Sequence, residues 1–239
     1  MKVAISFIGT NRYLDYLPQY YENIEKYFLP NSEKTILAFT DGELNDTPDN
    51  LIVYPQEHLQ WPFITLKRFE ILNKARKEIE KNDWLIIIDA DALVVDTITE
   101  NEFFSDKPLF GVHHPCHFLK MPPHNQIPGA YDTNPKCEAY VDVSKKLPDI
   151  YWQGCLWGGK VPQVCEMIDE LEARVNRDLQ NDIVALWHDE TQINKYFLQN
   201  RDIVNTLGSE YAYPEVFKAF CDFKPRIVHL SKNNSEYQT

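Results

Sequence analysis

The sequence predicts an α/β fold in which helices flank a mixed, mostly parallel sheet. Strand-like and helix-like segments alternate through the first half of the chain, as in nucleotide-binding α/β proteins. The continuous apolar run Trp84–Ile88 stops at Asp89 and Asp91, and ligands of such sheets bind at the carboxyl ends of the strands. With 239 residues and 44% hydrophobic content, the chain suits one α/β domain with an ordinary core.

The first half is expected to contain four strands and two helices. The clearest helix spans 63–80, because its apolar residues recur three or four positions apart. The other helix, at 17–28, is ended by Pro30. Strands are expected at 2–8, 35–39, 51–54 and 84–88.

The second half has a less regular pattern. Strands are expected at 108–113 and 226–230, and helices at 161–179 and 189–198. Residues 115–150 are rich in Pro, Asn and Asp, which indicates loops with short antiparallel strands. Gly154, Gly158 and Gly159 are three of only 8 glycines, so this segment is expected to need close backbone approach or positive φ.

Composition excludes several classes of partner. Lys and Arg number 24 against 36 Asp and Glu, a formal charge of −12. Binding to nucleic acid or to anionic membranes requires a basic face, so both are unexpected. A nucleotide-sized anion remains compatible, because one metal ion with two or three basic side chains can reverse the local field.

The cysteines and the apolar pattern indicate a soluble, cytoplasmic protein. The five cysteines include no Cys-x-x-Cys pair, so neither a zinc site nor a disulfide framework is predicted. No apolar run approaches the length of a membrane span. The first residues lead directly into a predicted strand, without a basic leader or a cleavage site.

Asp89 and Asp91 form the first candidate site. On an extended segment their side chains would point to opposite sides, so a turn after the strand is needed to aim both at one hard cation. Such a cation would carry a diphosphate. The alternative is a strand end with Asp in the following turn.

Trp187, His188, Asp189 and Glu190 form the second candidate site. An aromatic ring can pack on a sugar face, and a carboxylate can face a developing oxocarbenium ion. The structural alternative is a helix start with Asp189 as the N-cap and Glu190 in the first turn.

A few further residues are weaker candidates for binding or catalysis than the two sites above. Arg68 follows the expected start of a helix, where it could bind phosphate bidentately or simply be exposed. His113, His114 and His117 match no zinc spacing and are expected to be hydrogen-bonded in a loop. Tyr13 follows the first strand, where a base could stack.

Taken in order, these segments resemble the family 6 retaining glycosyltransferases, which include the blood-group A and B transferases, the α1,3-galactosyltransferase and smaller bacterial relatives. The resemblance runs from the first strand to the tail. Its blocks are Phe7-Ile-Gly-Thr-Asn-Arg-Tyr13, Trp61-Pro-Phe-Ile-Thr-Leu-Lys-Arg68, Asp89-Ala-Asp91, Gly111-Val-His-His-Pro115, Tyr151-Trp-Gln-Gly-Cys-Leu-Trp-Gly-Gly159, Trp187-His-Asp-Glu-Thr-Gln-Ile-Asn-Lys-Tyr-Phe-Leu198 and Lys232-Asn233.

The resemblance implies a single GT-A domain over 1–239, with a nucleotide-binding half to about 113 and an acceptor-binding half after it. It also implies transfer with retention from a UDP-sugar to a galactoside. The implied donor-binding residues are Ile8, Gly9, Tyr13, Ile64, Arg68, Asp89, Ala90, Asp91, Gln153, Gly154, Cys155, Asp189 and Lys232. The implied acceptor-binding residues are His114, Trp187 and Glu190, and Glu190 is also the implied nucleophile or cation stabiliser.

The departures from the family pattern carry further expectations. Members with Asn-x-Asn at the strand end are metal-independent, so Asp89 and Asp91 imply dependence on Mn²⁺ or another divalent cation such as Mg²⁺. Cys155 adds bulk where an N-acetyl group needs room, which favours galactose, whereas Gln153 is unusual for either donor. The tail ends soon after Lys232 and lacks a later arginine. We therefore expect the tail to close less firmly over the diphosphate, and water to compete with the acceptor for the sugar.

Two other functions fit parts of the pattern. A phosphohydrolase could use Asp89 as nucleophile and Asp91 as acid, although that pair usually follows the first strand and needs downstream acidic ligands. A non-catalytic carbohydrate-binding protein would suit the 13% aromatic content.

Overall fold

A seven-stranded sheet forms the centre of the computed structural model, which describes residues 1–115, 131–144, 148–217 and 223–232. Its strand order is β3-β2-β1-β4-β7-β6-β8, and β7 runs antiparallel to both of its neighbours. The mixed, mostly parallel sheet of the predicted GT-A fold is therefore confirmed. The strands are β1 Lys2–Ile8, β2 Glu33–Thr40, β3 Leu51–Pro55, β4 Trp84–Ile88, β5 Ala92–Val94, β6 Leu109–His113, β7 Trp152–Lys160, β8 Val204–Leu207, β9 Tyr213–Pro214 and β10 Ile227–His229.

Helices cover both faces of this sheet. The helices are α1 Leu17–Tyr27, α2 Phe63–Leu66, α3 Arg68–Asn73, α4 Arg76–Ile79, α5 Glu100–Phe103, α6 Gln163–Gln180 and α7 His188–Gln199. Short 3₁₀ turns span Asn11–Tyr16, Arg201–Ile203, Ser209–Ala212 and Glu215–Phe217. Among the helices described, none has the length and apolar character needed to cross a bilayer.

Strand β4 shows why its sequence is apolar throughout. Trp84, Ile86 and Ile88 belong to the core under α1, whereas Leu85 and Ile87 belong to the core under α3, α6 and α7. A strand buried on both faces reads as a continuous apolar run. Since β4 lies between β1 and β7, the residues after Ile88 emerge in the middle of the sheet edge.

A second, three-stranded sheet brings the end of the described chain to this same edge. Its order is β5-β10-β9, with β10 antiparallel to β5. The register pairs His229 with Ala92, and the Leu230 N–H donates a 3.0 Å hydrogen bond to the Asp91 carbonyl. Backbone pairing thus fixes the start of the tail beside the acidic strand end.

The predicted helix over 63–80 is wrong as a continuous element. The chain forms α2, α3 and α4 instead, interrupted at Lys67 and at Ala75, where ψ is 15° and 12°. The helical spacing still placed the apolar side chains correctly. The five apolar residues that recur three or four positions apart are all buried: Leu66, Phe69, Leu72, Ala75 and Ile79.

Strand β7 was not predicted, because its sequence contains three glycines and no clear period. The expected close backbone approach is confirmed. A β-carbon on Gly158 would lie 2.2 Å from the Leu85 carbonyl oxygen of the neighbouring strand. The short elements β5, β8, β9 and α5 were also missed, and His117, Cys116, Cys221 and Asn233 lie outside the described residues.

Candidate functional site

Two adjoining cavities lie at the carboxyl ends of β1 and β4. They enclose about 750 and 560 Å³, partly open to solvent, and both are lined by Trp61, Thr65, Arg68 and Asp89. The first cavity is also lined by Ile8, Tyr13, Ile64, Ala90, Asp91 and Lys232. The second is also lined by Gly154, Cys155, Trp187, Asp189 and Glu190.

Arg68 forms the wall between the two cavities. Its Nη2 donates a 2.9 Å hydrogen bond to Asp89 Oδ1, and its Nη1 donates one of 2.7 Å to the Gly154 carbonyl. The same Nη1 lies 3.1 Å from Asp189 Oδ2. The residue is only 7% exposed, so these partners compensate a charge that would otherwise be costly to bury. The acidic end of β4 and the start of α7 are therefore joined by one guanidinium.

Glu190 is held by two hydrogen bonds of different origin. Its Oε1 accepts from the Tyr151 hydroxyl at 2.8 Å, and its Oε2 accepts from the Gly154 N–H at 2.7 Å. Burial raises the pKa of Glu190 to about 7, although both hydrogen bonds act to lower it. Burial likewise raises the pKa of Asp189 to about 6 against the opposing effect of Arg68. A carboxyl with a pKa near neutrality in a cleft is a candidate for acid, base or electrostatic chemistry.

The start of α7 is fixed against β7 by Asn194, which is fully buried. Its Oδ1 accepts from the Trp152 N–H at 2.9 Å, and its Nδ2 donates to the carbonyls of Trp152 and Glu190. The alternative in which Asp189 is the N-cap is wrong, because α7 begins one residue earlier and Asp189 is turned inward to Arg68. The first turn is closed instead by Thr191 Oγ1, which accepts from the Trp187 N–H at 2.7 Å.

Asp91 lies among cationic and imidazole groups. The ammonium of Lys232 contacts Asp91 Oδ2 and lies 4.7 Å from the centre of the Tyr13 ring. His229 Nδ1 is 3.6 Å from Asp91 Oδ1. Burial acts to raise the pKa of Asp91, but His229 and Lys232 outweigh it and hold the pKa well below its usual range.

A possible metal-binding group combines both aspartates with His229. One ligand atom from each of Asp89, Asp91 and His229 lies within 4.8 Å of the other two. Carboxylate oxygen and imidazole nitrogen are a chemically suitable set for a divalent transition metal. His229 was not among the residues expected from the sequence, although a polar residue near the end of a predicted strand was a signal that could have found it.

Three of the expected binding residues line neither cavity among the described residues. Gln153 turns away and donates a 2.8 Å hydrogen bond to the Ala212 carbonyl. His114 packs edge-on to Tyr151, with ring centres 5.7 Å apart. Gly9 lies between the cavity residues Ile8 and Thr10.

Two aromatic side chains lie at the mouth of the cleft; Trp187 was expected there from the sequence, whereas Trp61 was missed. Trp61 and Trp187 are 53% and 48% exposed, and both line the second cavity. Trp61 packs edge-on to His188, with ring centres 4.8 Å apart. Tyr151 was noted only as part of a motif, although it donates directly to Glu190.

Comparison with known proteins gives a consistent result over the whole chain. Residues 1–239 match the family described as glycosyltransferase family 6. The O-antigen biosynthesis glycosyltransferase WbnI of Escherichia coli is 28% identical, covering 91% of this chain and 90% of its own. The histo-blood group ABO system transferase 2 of Rattus norvegicus is 24% identical over 97% of this chain and 70% of its own. The mouse globoside alpha-1,3-N-acetylgalactosaminyltransferase 1 is 24% identical over 90% of this chain and 62% of its own.

Proposed function

The chain belongs to glycosyltransferase family 6, and from this premise we propose that it is a retaining hexosyltransferase. It transfers galactose or N-acetylgalactosamine from a UDP-sugar to a galactoside acceptor. The name of the globoside relative specifies an α1,3 linkage, which we extend to this chain as part of the proposal. The reaction depends on Mn²⁺ or another divalent cation.

The observation that carries this proposal is the position of Arg68 between Asp89 and Asp189. It makes the end of β4 and the start of α7 two walls of one cleft. A diphosphate in the first cavity would lie beside Asp91, Lys232 and Arg68, and its sugar would extend toward Glu190. One cleft can therefore hold the leaving nucleotide and the reacting carbon together, which is the positioning that group transfer needs.

A bound cation would neutralise the charge that develops on the departing nucleoside diphosphate. The donor set of Asp89, Asp91 and His229 fits such an ion. Arg68 and Lys232 add positive field on the same side of the sugar. The two cationic side chains thus favour departure of the nucleotide.

Glu190 acts on the opposite side of the reacting carbon in this proposal. Its carboxylate either displaces the nucleoside diphosphate from that carbon and is then displaced by the acceptor hydroxyl, or faces the positive charge of the carbon while the hydroxyl attacks from the face that the diphosphate leaves. In both cases the hydroxyl proton passes to the departing diphosphate. Tyr151 and Gly154 hold both oxygens in place before substrate arrives. Such prior orientation lets the carboxylate stabilise the transition state without reorganising.

The same cleft supports galactose as the donor sugar. Cys155 lines the second cavity beside Gly154 and Glu190, where its thiol occupies space that an N-acetyl group would need. Gln153 is directed toward Ala212, so Cys155 is the side chain of this pair that faces the sugar. Trp187 is assigned to the acceptor, with its ring stacking on an apolar sugar face. His114 is assigned to the acceptor from the family resemblance alone, since it lines neither cavity.

The proposal is tested by incubating the protein with a panel of UDP-sugars, Mn²⁺ and plain or fucosylated galactosides. Products are identified by mass, and their linkage and anomeric configuration by NMR. We expect an α-linked galactoside product that is lost with excess chelator and reduced about 100- to 1,000-fold by E190Q. An inverted product, or a parental rate in E190Q, would overturn the proposal.

A further inference from the structure

His229 is positioned by the backbone pairing of two strands. It is the last residue of β10, which pairs antiparallel with β5, and its partner in the register is Ala92. The next hydrogen bond of this ladder runs from the Leu230 N–H to the Asp91 carbonyl at 3.0 Å. The imidazole is therefore held beside the acidic strand end by the same pairing that orders the second sheet.

The imidazole interacts with the Asp91 carboxylate and the Cys155 thiol, but one of its two ring nitrogens has no partner within hydrogen-bond distance among the described residues. Its Nε2 is buried and has no hydrogen-bond partner among the described residues. Its Nδ1 lies 3.6 Å from Asp91 Oδ1, beyond normal hydrogen-bond length. The thiol of Cys155 also faces the ring. A buried ring nitrogen without a partner requires an explanation, and a role in binding an ion is one of the standard ones.

We propose that His229 is the third protein ligand of the divalent cation, beside Asp89 and Asp91. The three ligand atoms lie within 4.8 Å of one another. Atoms that bind one cation at about 2.1–2.2 Å lie about 3 Å apart when adjacent and about 4.4 Å apart when opposite, so small side-chain adjustments would complete the set. This inference rests on the proposed metal-dependent transfer and adds a residue to it.

An imidazole ligand has a consequence for metal choice. Mg²⁺ and Ca²⁺ prefer oxygen ligands. Mn²⁺ also takes mainly oxygen ligands, but as a first-row transition metal it accepts an imidazole nitrogen more readily than Mg²⁺ does. His229 therefore selects Mn²⁺ over Mg²⁺ at this site. Its loss should weaken Mn²⁺ binding about 10- to 100-fold while Mg²⁺ binding changes less than about threefold.

Pulsed electron paramagnetic resonance of Mn²⁺ bound to the protein with UDP tests the assignment without measuring transfer. We expect a ¹⁴N coupling of directly bound imidazole in the parent protein, converted to the ¹⁵N pattern when histidine is labelled with ¹⁵N. The H229N variant should lose the coupling. The H58N variant is the matched control, because His58 lines the first cavity but its Nδ1 lies 2.9 Å from Thr10 Oγ1, outside the metal-binding group. It should keep the coupling.

The outcomes separate this inference from the proposed function. Bound Mn²⁺ without nitrogen coupling in the parent protein would overturn the role of His229 and leave metal-dependent transfer standing. Failure to bind Mn²⁺ with or without UDP would overturn both. The labelled parent protein decides the question even where H229N does not fold.

Discussion

Gly154 and Glu190 fit directly against each other where β7 meets α7. The Gly154 N–H donates a 2.7 Å hydrogen bond to Glu190 Oε2, and a β-carbon at position 154 would lie only 2.9 Å from the Glu190 β-carbon. The carbonyl of the same glycine accepts from Arg68 at 2.7 Å. The backbone of one glycine thus orients both the carboxylate and the guanidinium of the cleft.

The G154A variant tests this fit. The added methyl group must push Glu190 away, so we expect kcat to fall about 10- to 100-fold, since a displacement near 1 Å can cost that much. The matched control is G42A, where the new methyl group meets the flexible end of Leu14 instead. Steady-state transfer rates of both variants are compared, with melting temperatures measured alongside. A parental kcat in G154A would show that the position of Glu190 is not critical.

The raised pKa of Glu190 predicts how stability depends on pH. Its folded pKa is about 7, whereas an unfolded glutamate titrates near 4.3. Between these values the folded protein keeps a proton that the unfolded chain has lost, so the contribution of this group to the free energy of unfolding falls as pH rises. The E190Q variant has no titrating group at this position. Its free energy of unfolding, taken relative to that of the parent, should therefore increase by on the order of 2 kcal/mol from pH 5 to pH 8.

Urea unfolding of both proteins at pH 5 and pH 8 measures this difference. Asp189, whose pKa is raised to about 6, titrates in both proteins and cancels to first order. A difference in unfolding free energy that stays constant across this range would contradict the raised pKa.

The same pKa predicts the acid limb of activity. If transfer needs the Glu190 carboxylate, the rate of the parent protein should rise through a pH near 7. The Tyr151 hydroxyl lowers this pKa by hydrogen bonding, so Y151F should move the limb to higher pH. A Y151F profile that is reduced in height but not shifted would assign Tyr151 a purely structural role.

The buried position of Arg68 predicts a large stability cost on its removal. R68M leaves Asp89 and Asp189 without their shared cation, which should destabilise the protein by about 3–5 kcal/mol. The control is R201M, because Arg201 and Asp149 form an exposed pair, 51% and 62% accessible, that should contribute less than about 1 kcal/mol.

Adding D189N to R68M should recover part of the loss, since it removes one of the uncompensated charges. Chemical denaturation of the four proteins supplies the values. An R68M loss no larger than that of R201M would contradict the buried ion pair.

Lys232 and a metal ion would compete for Asp91. The lysine ammonium contacts Asp91 Oδ2, so K232M should raise the affinity for Mn²⁺ alone, by about 3- to 10-fold for an interaction of roughly 1 kcal/mol. The same variant should bind UDP more weakly in the presence of Mn²⁺, because a cation near the diphosphate is lost. Calorimetric titrations with Mn²⁺ alone and with Mn²⁺ plus UDP separate the two effects. Weaker binding of Mn²⁺ alone would show that Lys232 does not oppose the ion.

The sequence predicted those parts of the fold that depend on local pattern. Strand β4 and its acidic end were recognisable because burial on both faces requires an unbroken apolar run. Strand β7 was not, because its glycines are explained only by neighbours such as Leu85 that lie far away in the chain. The segment 63–80 was predicted as one continuous helix, because residue spacing alone does not reveal the break at Lys67.

The candidate site, like the fold, was only partly predictable from sequence. Arg68, Asp89, Asp189 and Glu190 were named from sequence, and the structure brings them to one cleft. Their mutual contacts depend on the strand order, which no local pattern encodes. His229 reaches Asp91 only through the β5–β10 pairing. The Tyr151 hydrogen bond to Glu190 likewise depends on where α7 packs against β7.

A crystal structure with Mn²⁺ and UDP, with anomalous diffraction used to locate the manganese, would show whether one cleft joins the metal, the nucleotide and Glu190. We expect an anomalous peak beside Asp89 and Asp91, the uracil near Tyr13, and the free end of the diphosphate directed past Arg68 toward Glu190. A manganese peak away from these aspartates, or a diphosphate directed away from Glu190, would contradict this arrangement.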